Sequence, residues 1–314
     1  MHPDLAEAGP PGHEIVGTSR AMERVRRQIG HASKLDLPLL ITGEPGTGRE
    51  LSARAIHSGS GRAERPFVAV YLGSMPERII EAELFGRQLA AAHGGTIFLD
   101  GIAGLPASSQ SKLLRSMARR QVDPGNGGRP LPADARVIAA GDGELETAAR
   151  RGSLTRELFA ALSSFSIHLP PLRERKTDLT LLADHFLRIL GNRQRKNVVR
   201  ISTPALDLLT SYGWPGNVKE LEDVIARAVL LAKDGVIRAR DLPAALQTGE
   251  SSRTTMPGSL SDLMAAYERE ILLEAIQNAA GNKSRAARAL GTTPRILAYR
   301  LRKHGLDADG KDRG

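Results

Sequence analysis

The chain of 314 residues contains no cysteine. That removes disulfides, thiolate metal sites and thiol redox chemistry, and it gives no sign of an oxidising compartment. No stretch approaches the ~20 consecutive apolar residues that span a bilayer. Met1-His2-Pro3-Asp4-Leu5-Ala6-Glu7 has neither the basic lead nor the apolar run of a secretory signal. A cytoplasmic protein with no membrane partner is expected. The eight histidines show no ligand spacing, and no internal repeat is present. What is in excess is positive charge. Lys and Arg number 44 against 35 Asp and Glu, a net of +9, with a pI near 10.1. That balance favours a polyanionic partner, and an arginine-rich surface is its plainest explanation. The length and a hydrophobic content of 41% suffice for one large core and at least one small one.

Pro10-Pro11-Gly12 closes a short leader, residues 1–13, too brief for a receiver or sensory domain. Residues 14–171 alternate apolar runs with amphipathic stretches, which predicts a parallel α/β unit. Its strands are expected near Leu37–Thr42, Pro66–Tyr71, Thr96–Asp100, Ala135–Ala140 and Ser166–Leu169. Residues 172–246 are expected to form a small helical subdomain, with no strand from Asp178 to Lys233. Residues 247–259, rich in Gly, Ser, Thr and Pro, read as a linker, and residues 260–314 as a separate all-α domain.

Leu39-Leu40-Ile41-Thr42-Gly43-Glu44-Pro45-Gly46-Thr47-Gly48-Arg49-Glu50 is an apolar strand running into a glycine loop. It follows the phosphate-binding pattern G-x-x-x-x-G-K-[ST], except that arginine stands at the lysine position. Successive backbone N–H groups of such a loop face phosphate oxygens, and its lysine reaches the β/γ oxygens. Arg49 keeps the charge, but its planar fork is larger. An ordinary strand-turn-helix junction would also give this pattern. A second buried strand, Thr96-Ile97-Phe98-Leu99-Asp100, ends in a carboxylate placed to hold Mg²⁺. Gly101 follows it where a working ATPase carries the glutamate that polarises water.

From Ile15 to about Leu231 the chain resembles the AAA+ central domain of NtrC-type activators of sigma-54 RNA polymerase. The likeness rests on Val16-Gly17-Thr18-Ser19-Arg20-Ala21-Met22, Glu83-Leu84-Phe85-Gly86, Leu169-Pro170-Pro171-Leu172-Arg173-Glu174-Arg175 and Trp214-Pro215-Gly216-Asn217-Val218-Lys219-Glu220-Leu221. The resemblance implies a P-loop AAA+ fold with a helical lid. It also implies a nucleotide site made of Gly43, Glu44, Gly46, Thr47, Gly48, Arg49, Glu50, Asp100 and Lys219, the last at the second-sensor position. Four further departures accompany Arg49. Only Arg87 to His93 separate Gly86 from Gly94, so the Gly-Ala-Phe-Thr-Gly-Ala loop that touches sigma-54 is missing. Asp142, preceded by Gly141, replaces the sensor asparagine. Thr155 and Ala161 align with the two arginine fingers, Arg156 lying one residue off. With Gly101 in place of the base, no catalytic residue is expected, and ATP or ADP with Mg²⁺ at Asp100 is expected to bind weakly or not at all.

The C-terminal segment predicts three helices. Tyr267 to Ile276 is amphipathic, Gly281-Asn282 breaks it, Lys283 to Leu290 forms a second helix, and Gly291 makes a tight turn. Thr293 can cap a third helix, Arg295 to Lys303, with Pro294 in its first turn where the missing N–H costs nothing. Between Gly281 and His304 every charged residue is basic. This arrangement is similar to the Fis-type helix-turn-helix that ends enhancer-binding proteins, whose third helix enters the major groove of double-stranded DNA. With Thr293 as cap, Arg295, Tyr299 and Arg300 then face the groove, Lys283, Arg285, Arg302 and Lys303 suit phosphates, and Thr293 and Ile296 complete the expected DNA-binding set. Leu297 and Leu301 are expected in the core. Leu263, Tyr267, Ile271 and Ala275 are candidates for a homodimer seam, with packing inside the subunit as the alternative.

Together these readings predict a DNA-binding transcriptional regulator on a degenerate AAA+ platform. A functional sigma-54 activator, or an inactive subunit that modulates hexamers of a complete paralogue, are the alternatives. RNA polymerase or that paralogue would be the protein partner.

Overall fold

A computed structural model describes residues 15–123, 129–193, 198, 200–232, 234–247, 272, 275, 276, 279, 281–303 and 306. The chain divides into two compact units, Met1–Gly249 and Glu250–Gly314. In the first, α1 (Arg20–Ser33), β1 (Leu39–Thr42), α2 (Arg49–Ser58), β2 (Phe67–Tyr71) and α3 (Glu77–Glu83) lead into a π-helical turn, Leu84–Gln88, and α4 (Leu89–Ala91). Then come β3 (Thr96–Asp100), α5 (Ala107–Arg119), β4 (Gln121–Val122), β5 (Leu131–Pro132), β6 (Arg136–Gly141), α6 (Leu145–Arg151), α7 (Arg156–Leu162) and β7 (Ser166–His168). The lid carries α8 (Leu179–Arg193), β8 (Arg200–Ile201), α9 (Thr203–Ser211), α10 (Asn217–Leu231), β9 (Val236–Ile237) and α11 (Ala244–Gln247).

Five strands form one parallel sheet in the order β2-β3-β6-β1-β7. The period of two in each strand sends alternate side chains to opposite faces. Leu39, Ile41, Phe98, Ile138 and Ala140 pack with Met22, Val25 and Ile29 of α1 and Ile56 of α2. Leu40, Ile97, Leu99, Val137 and Ala139 pack with Ile80, Phe85, Leu113 and Leu158 on the other face. Both faces are therefore covered, and the strands read in sequence as continuous apolar runs. The five expected strands are these five, with ends displaced by one or two residues.

One expectation is corrected. Arg200–Ile201 pairs in parallel with Val236–Ile237, so the stretch from Asp178 to Lys233 does contain a strand. Two residues have no readable period, and burial of Ile201 and Ile237 against the lid core holds them in place. Gln121–Val122 and Leu131–Pro132 pair antiparallel; the tract Gly125 to Gly128 between them, which its glycines suggest is a turn, lies outside the described residues.

From Glu77 to Ala91 the backbone is helical throughout, with Leu89 N–H bonding back to the Leu84 carbonyl in the π turn. Leu84, Phe85 and Leu89 bury under the sheet. A seven-residue connection from Gly86 to Gly94 is thus used up as helix and turn.

One carboxylate ties the start of the unit to its lid. Asp178, fully buried, accepts Thr18 N–H at 2.6 Å, Ser19 N–H at 2.7 Å and Ser19 Oγ at 2.6 Å. A Cβ at Gly17 (φ +144°) would lie 2.8 Å from Asp178 Oδ2, so the approach requires glycine. The same carboxylate offsets the buried Arg175 guanidinium, whose pKa burial pushes below the usual arginine value.

The second unit is built around Leu272, Ala275, Ile276, Ala286, Ala287, Leu297, Leu301 and Leu306. Its helices α12 (Lys283–Ala289) and α13 (Pro294–Lys303) are joined at Gly291, with φ +61°. Ala275 is buried in this core; Leu263, Tyr267 and Ile271 lie outside the described residues.

Asp178→Ala strands three donors and the Arg175 charge, so a loss of about 3 kcal/mol is expected. Urea unfolding should show a lower midpoint at unchanged slope; a loss below about 1 kcal/mol would dismiss this carboxylate as the tie.

Candidate functional site

β1 delivers Gly43 to the carboxyl edge of the sheet, where the loop turns through Gly43, Gly46 and Gly48 at φ +158°, +79° and +102°. The last two, clearly left-handed, are conformations that glycine adopts without strain. Gly48 caps α2 and has no side chain to bond the helix start, so the first-turn amides, beginning with Arg49 and Glu50, are left facing the loop. Thr47 is turned inward, its hydroxyl donating to the Glu44 carbonyl at 2.7 Å.

Arg49 lies across this cradle. Its Nη1 donates to the Gly43 carbonyl at 2.7 Å and its Nη2 to Asp100 Oδ2 at 3.1 Å. Nη2 is also 3.0 Å from Asp100 Oδ1, as an ion pair whose N–H points at the other oxygen; Oδ1 is buried and receives no hydrogen bond. Side-chain exposures of 14% and 23% make this a largely desolvated pair. The arrangement leaves the backbone cradle suited to phosphate oxygens. It does not suit Mg²⁺, because the carboxylate that would hold the metal is already neutralised by a cation at contact distance.

Gly101 has φ +78°, and a Cβ there would lie 3.0 Å from Gly73 N. The position after Asp100 is therefore shaped for glycine. A Cβ at Gly141 would meet Leu145 at 2.8 Å, so Leu145 covers that position. Asp142 is exposed, its Oδ1 accepting Glu144 N–H at 3.2 Å in a local turn. Thr155 precedes α7 and donates its N–H to Gln110 Oε1 at 2.7 Å, while its hydroxyl is buried without a partner. Ala161 is half-buried on α7, and Arg156 is exposed.

Lys219 stands on α10 beside the loop, 62% exposed, with Nζ 3.0 Å from Asp223 Oδ1 and 3.1 Å from Glu222 Oε2. The bond to Asp223 raises its pKa above the ordinary lysine value. It lines a cleft of about 490 Å³ between Pro45 and Gly46 of the loop and Gly216, Asp223 and Arg227 of the lid. Glu50 accepts from Tyr71 Oη at 2.5 Å, which pushes the phenol pKa up to about 12, and pairs with Arg54.

Sequence reasoning assigned no role to three groups that hold the loop. Arg173 binds Glu44 with both Nη atoms, at 2.7 and 2.5 Å, and holds the carboxyl below the usual range. Asn217, fully buried at φ +54°, donates to Glu44 Oε2 and the Pro45 carbonyl and accepts Leu172 N–H. The available signal was its place after Trp214-Pro215-Gly216, since asparagine is among the few non-glycine residues that tolerate left-handed backbone. The Gly46 carbonyl accepts Val218 N–H at 3.0 Å and Lys219 N–H at 3.3 Å. A Cβ on Gly46 would fall 2.1 Å from the Gly216 carbonyl oxygen. Neither contact is visible in a residue list.

In the C-terminal unit Thr293 accepts Ile296 N–H at 3.3 Å, capping α13 as its sequence suggests, and Asn282 caps α12 through Arg285 N–H at 3.1 Å. Leu297 and Leu301 are buried, while Ile296, Tyr299 and Arg300 are exposed on α13. Arg285 is exposed and Lys283 half-buried on α12. The backbones of Arg295, Arg302 and Lys303 are helical; their side chains lie outside the described residues. No helix among the described residues is long and apolar enough to cross a membrane, and none of their His, Asp and Glu side chains cluster as a metal site.

Comparison with known proteins matches three successive stretches of the chain, the second of which extends across most of the tract read as a linker. Residues 15–168 match the sigma-54 interaction domain, residues 173–258 the AAA+ ATPase lid domain, and residues 264–304 the Fis family of bacterial regulatory proteins. The nitrogen fixation protein AnfA of Azotobacter vinelandii is 39% identical over 93% of the chain, which spans only 57% of that relative. The response regulator protein PilR of Pseudomonas aeruginosa is 35% identical over 96% of the chain and 72% of its own length. A crystal structure of NtrX from Brucella abortus in complex with ATP is 31% identical, with a TM-score of 0.72 over 93% of this chain and 70% of that one.

The Arg49–Asp100 contact should be measurable in isolation. A double-mutant cycle of Arg49→Ala and Asp100→Ala is expected to give a coupling of about 1–2 kcal/mol in unfolding free energy. A coupling within error of zero would mean that the guanidinium spends its time elsewhere.

Proposed function

The chain belongs to the NtrC-type family of bacterial regulators, and from that premise we propose that it is a site-specific DNA-binding transcriptional regulator whose AAA+ unit does not run an ATPase cycle. The observation that carries the second half is the Arg49–Asp100 pair. Phosphoryl transfer depends on positioned cations and a metal around the γ-phosphate. Here the loop cation and the metal carboxylate neutralise each other, and Gly101 supplies no base. Thr155 and Ala161 bring no cation to a neighbouring subunit, where a trans arginine contributes on the order of 10³–10⁵ in rate in related hydrolases. Such groups act as a unit, so their losses do not add.

Nucleotide without metal remains compatible with the glycine cradle. That fits a weak binder of ATP or ADP in which the ligand serves structure, not turnover. The helical run from Glu77 to Ala91 leaves no segment for a sigma-54 contact loop, which favours regulation by DNA occupancy and by contact with polymerase or with a paralogous regulator. For DNA the support is the capped α13, with Leu297 and Leu301 turned inward and Ile296, Tyr299 and Arg300 outward. A homodimer through the C-terminal unit would present two such helices to half-sites one helical turn apart.

The purified protein with Mg²⁺-ATP should release no phosphate above background, with or without DNA. Arg49→Lys combined with Gly101→Glu should not restore release, because a side chain at φ +78° strains the backbone and the fingers stay absent. Clear turnover by the unmodified chain would establish the competing reading, a working activator.

On DNA, Arg300→Ala should cost ~1–3 kcal/mol and relax preference at one position, whereas Lys283→Ala should weaken all sequences alike and reduce the salt slope by about one. Equal losses on every sequence for both variants would count against base reading by α13.

A further inference from the structure

We propose that α1 carries a second duplex-DNA contact, a basic ridge that grips the phosphate backbone beside the site bound by the C-terminal unit. The proposal rests on the DNA-binding reading above. The core face of α1 is Met22, Val25, Ile29 and Ala32. At 3.6 residues per turn, Arg20, Arg24, Arg27, His31 and Lys34 fall within an arc of about 80° directly opposite that face. All five are exposed. Among the described residues no carboxylate pairs with Arg20, Arg24, Arg27 or Lys34. Glu23, the one acid from Arg20 to Leu35, lies about 60° from the centre of the ridge and about 20° beyond its edge by the same helical geometry, and among the described residues no cation of the ridge pairs with it. Arg26 is turned away to the Gly17 carbonyl.

Helix stability alone does not account for this ridge. Like charges three and four residues apart cost about 0.2–0.5 kcal/mol per pair. Arg20 and Arg24 also sit in the first turns, where the helix macrodipole disfavours cations. A polyanion removes both penalties. Arg20, Arg24, Arg27 and Lys34 present a cation about every 7 Å on average along ~20 Å of helix, and duplex DNA offers one phosphate per ~1.7 Å of axis. A patch of this kind binds DNA non-specifically with a dissociation constant of roughly 10⁻⁴–10⁻⁶ M. Tethering by a chain already anchored on DNA gives an effective concentration near ~1 mM, enough to engage it. The ridge then adds affinity and salt dependence without sequence preference.

The test uses the full chain and the duplex selected by it from a random library, made as a bare site and with flanks of about 30 base pairs. Arg20→Ala, Arg24→Ala, Arg27→Ala and Lys34→Ala are combined, and a partner variant replaces the three arginines by lysine. On the flanked duplex the alanine variant should bind ~10–1,000-fold more weakly at 0.15 M salt, with a salt slope smaller by about three to four. The lysine variant should keep the parent slope, and base preference should be unchanged in both. All four positions are exposed and their mutual repulsion is relieved in the alanine variant, so its unfolding midpoint should equal or exceed that of the parent; a fallen midpoint would assign the ridge to stability instead. Equal affinity and slope for parent and alanine variant on flanked DNA would overturn the ridge and leave the helix-turn-helix reading intact. Preference of the parent for phosphatidylserine vesicles over flanked duplex would also overturn it. Failure of the parent to bind any duplex would overturn both.

Discussion

A parallel sheet covered on both faces can expose its chemistry only at its ends. Every strand of the order β2-β3-β6-β1-β7 points the same way, so Gly43 after β1, Gly101 after β3 and Asp142 after β6 emerge along one edge. The glycine loop, Asp100 and Asp142 lie along one edge for that reason alone. Substitutions spread over a hundred residues of sequence therefore act on one place, and a change at one of them alters the setting of the others.

The sheet was legible because buried strands are apolar runs bounded by turn residues, and the glycine loop because its spacing is a direct record of backbone need. Partner choice was not legible. Arg49 reads in sequence as a retained charge, whereas in the structure it satisfies Asp100 and the Gly43 carbonyl. Lys219 reads as a sensor, yet its ammonium is held by two acids of its own helix. Side-chain destinations depend on distances that a linear pattern does not contain. The strand at Arg200–Ile201 and the paired strands Gln121–Val122 and Leu131–Pro132 were too short for periodicity. The cap at Thr293 and the inward Leu297 and Leu301 were readable, since caps and helical spacing are local properties.

The departures from the family pattern fit one another physically. A lysine at 49 would offer a compact charge on a flexible stem, but the fork of arginine spans a carbonyl and a carboxylate together. A residue with a Cβ at 101 would work against the left-handed backbone. Leu145 fills the space above Gly141. The residues at 49, 101 and 141 are thus each matched to their surroundings.

The Gly46 carbonyl has a wider consequence. α10 begins at Gly216 without a side-chain cap, and its first amides end on that carbonyl of the loop. The loop is thus the lid's own terminus in chemical terms, two segments some 170 residues apart sharing one set of dipoles. Reciprocity then applies: if an anion bound at the loop strengthens or weakens the hold of the Gly46 carbonyl on the lid, displacing the lid changes the loop's affinity for that anion by the same coupling free energy. The Gly46 peptide is in this sense a joint through which occupancy of the loop and placement of the lid are linked.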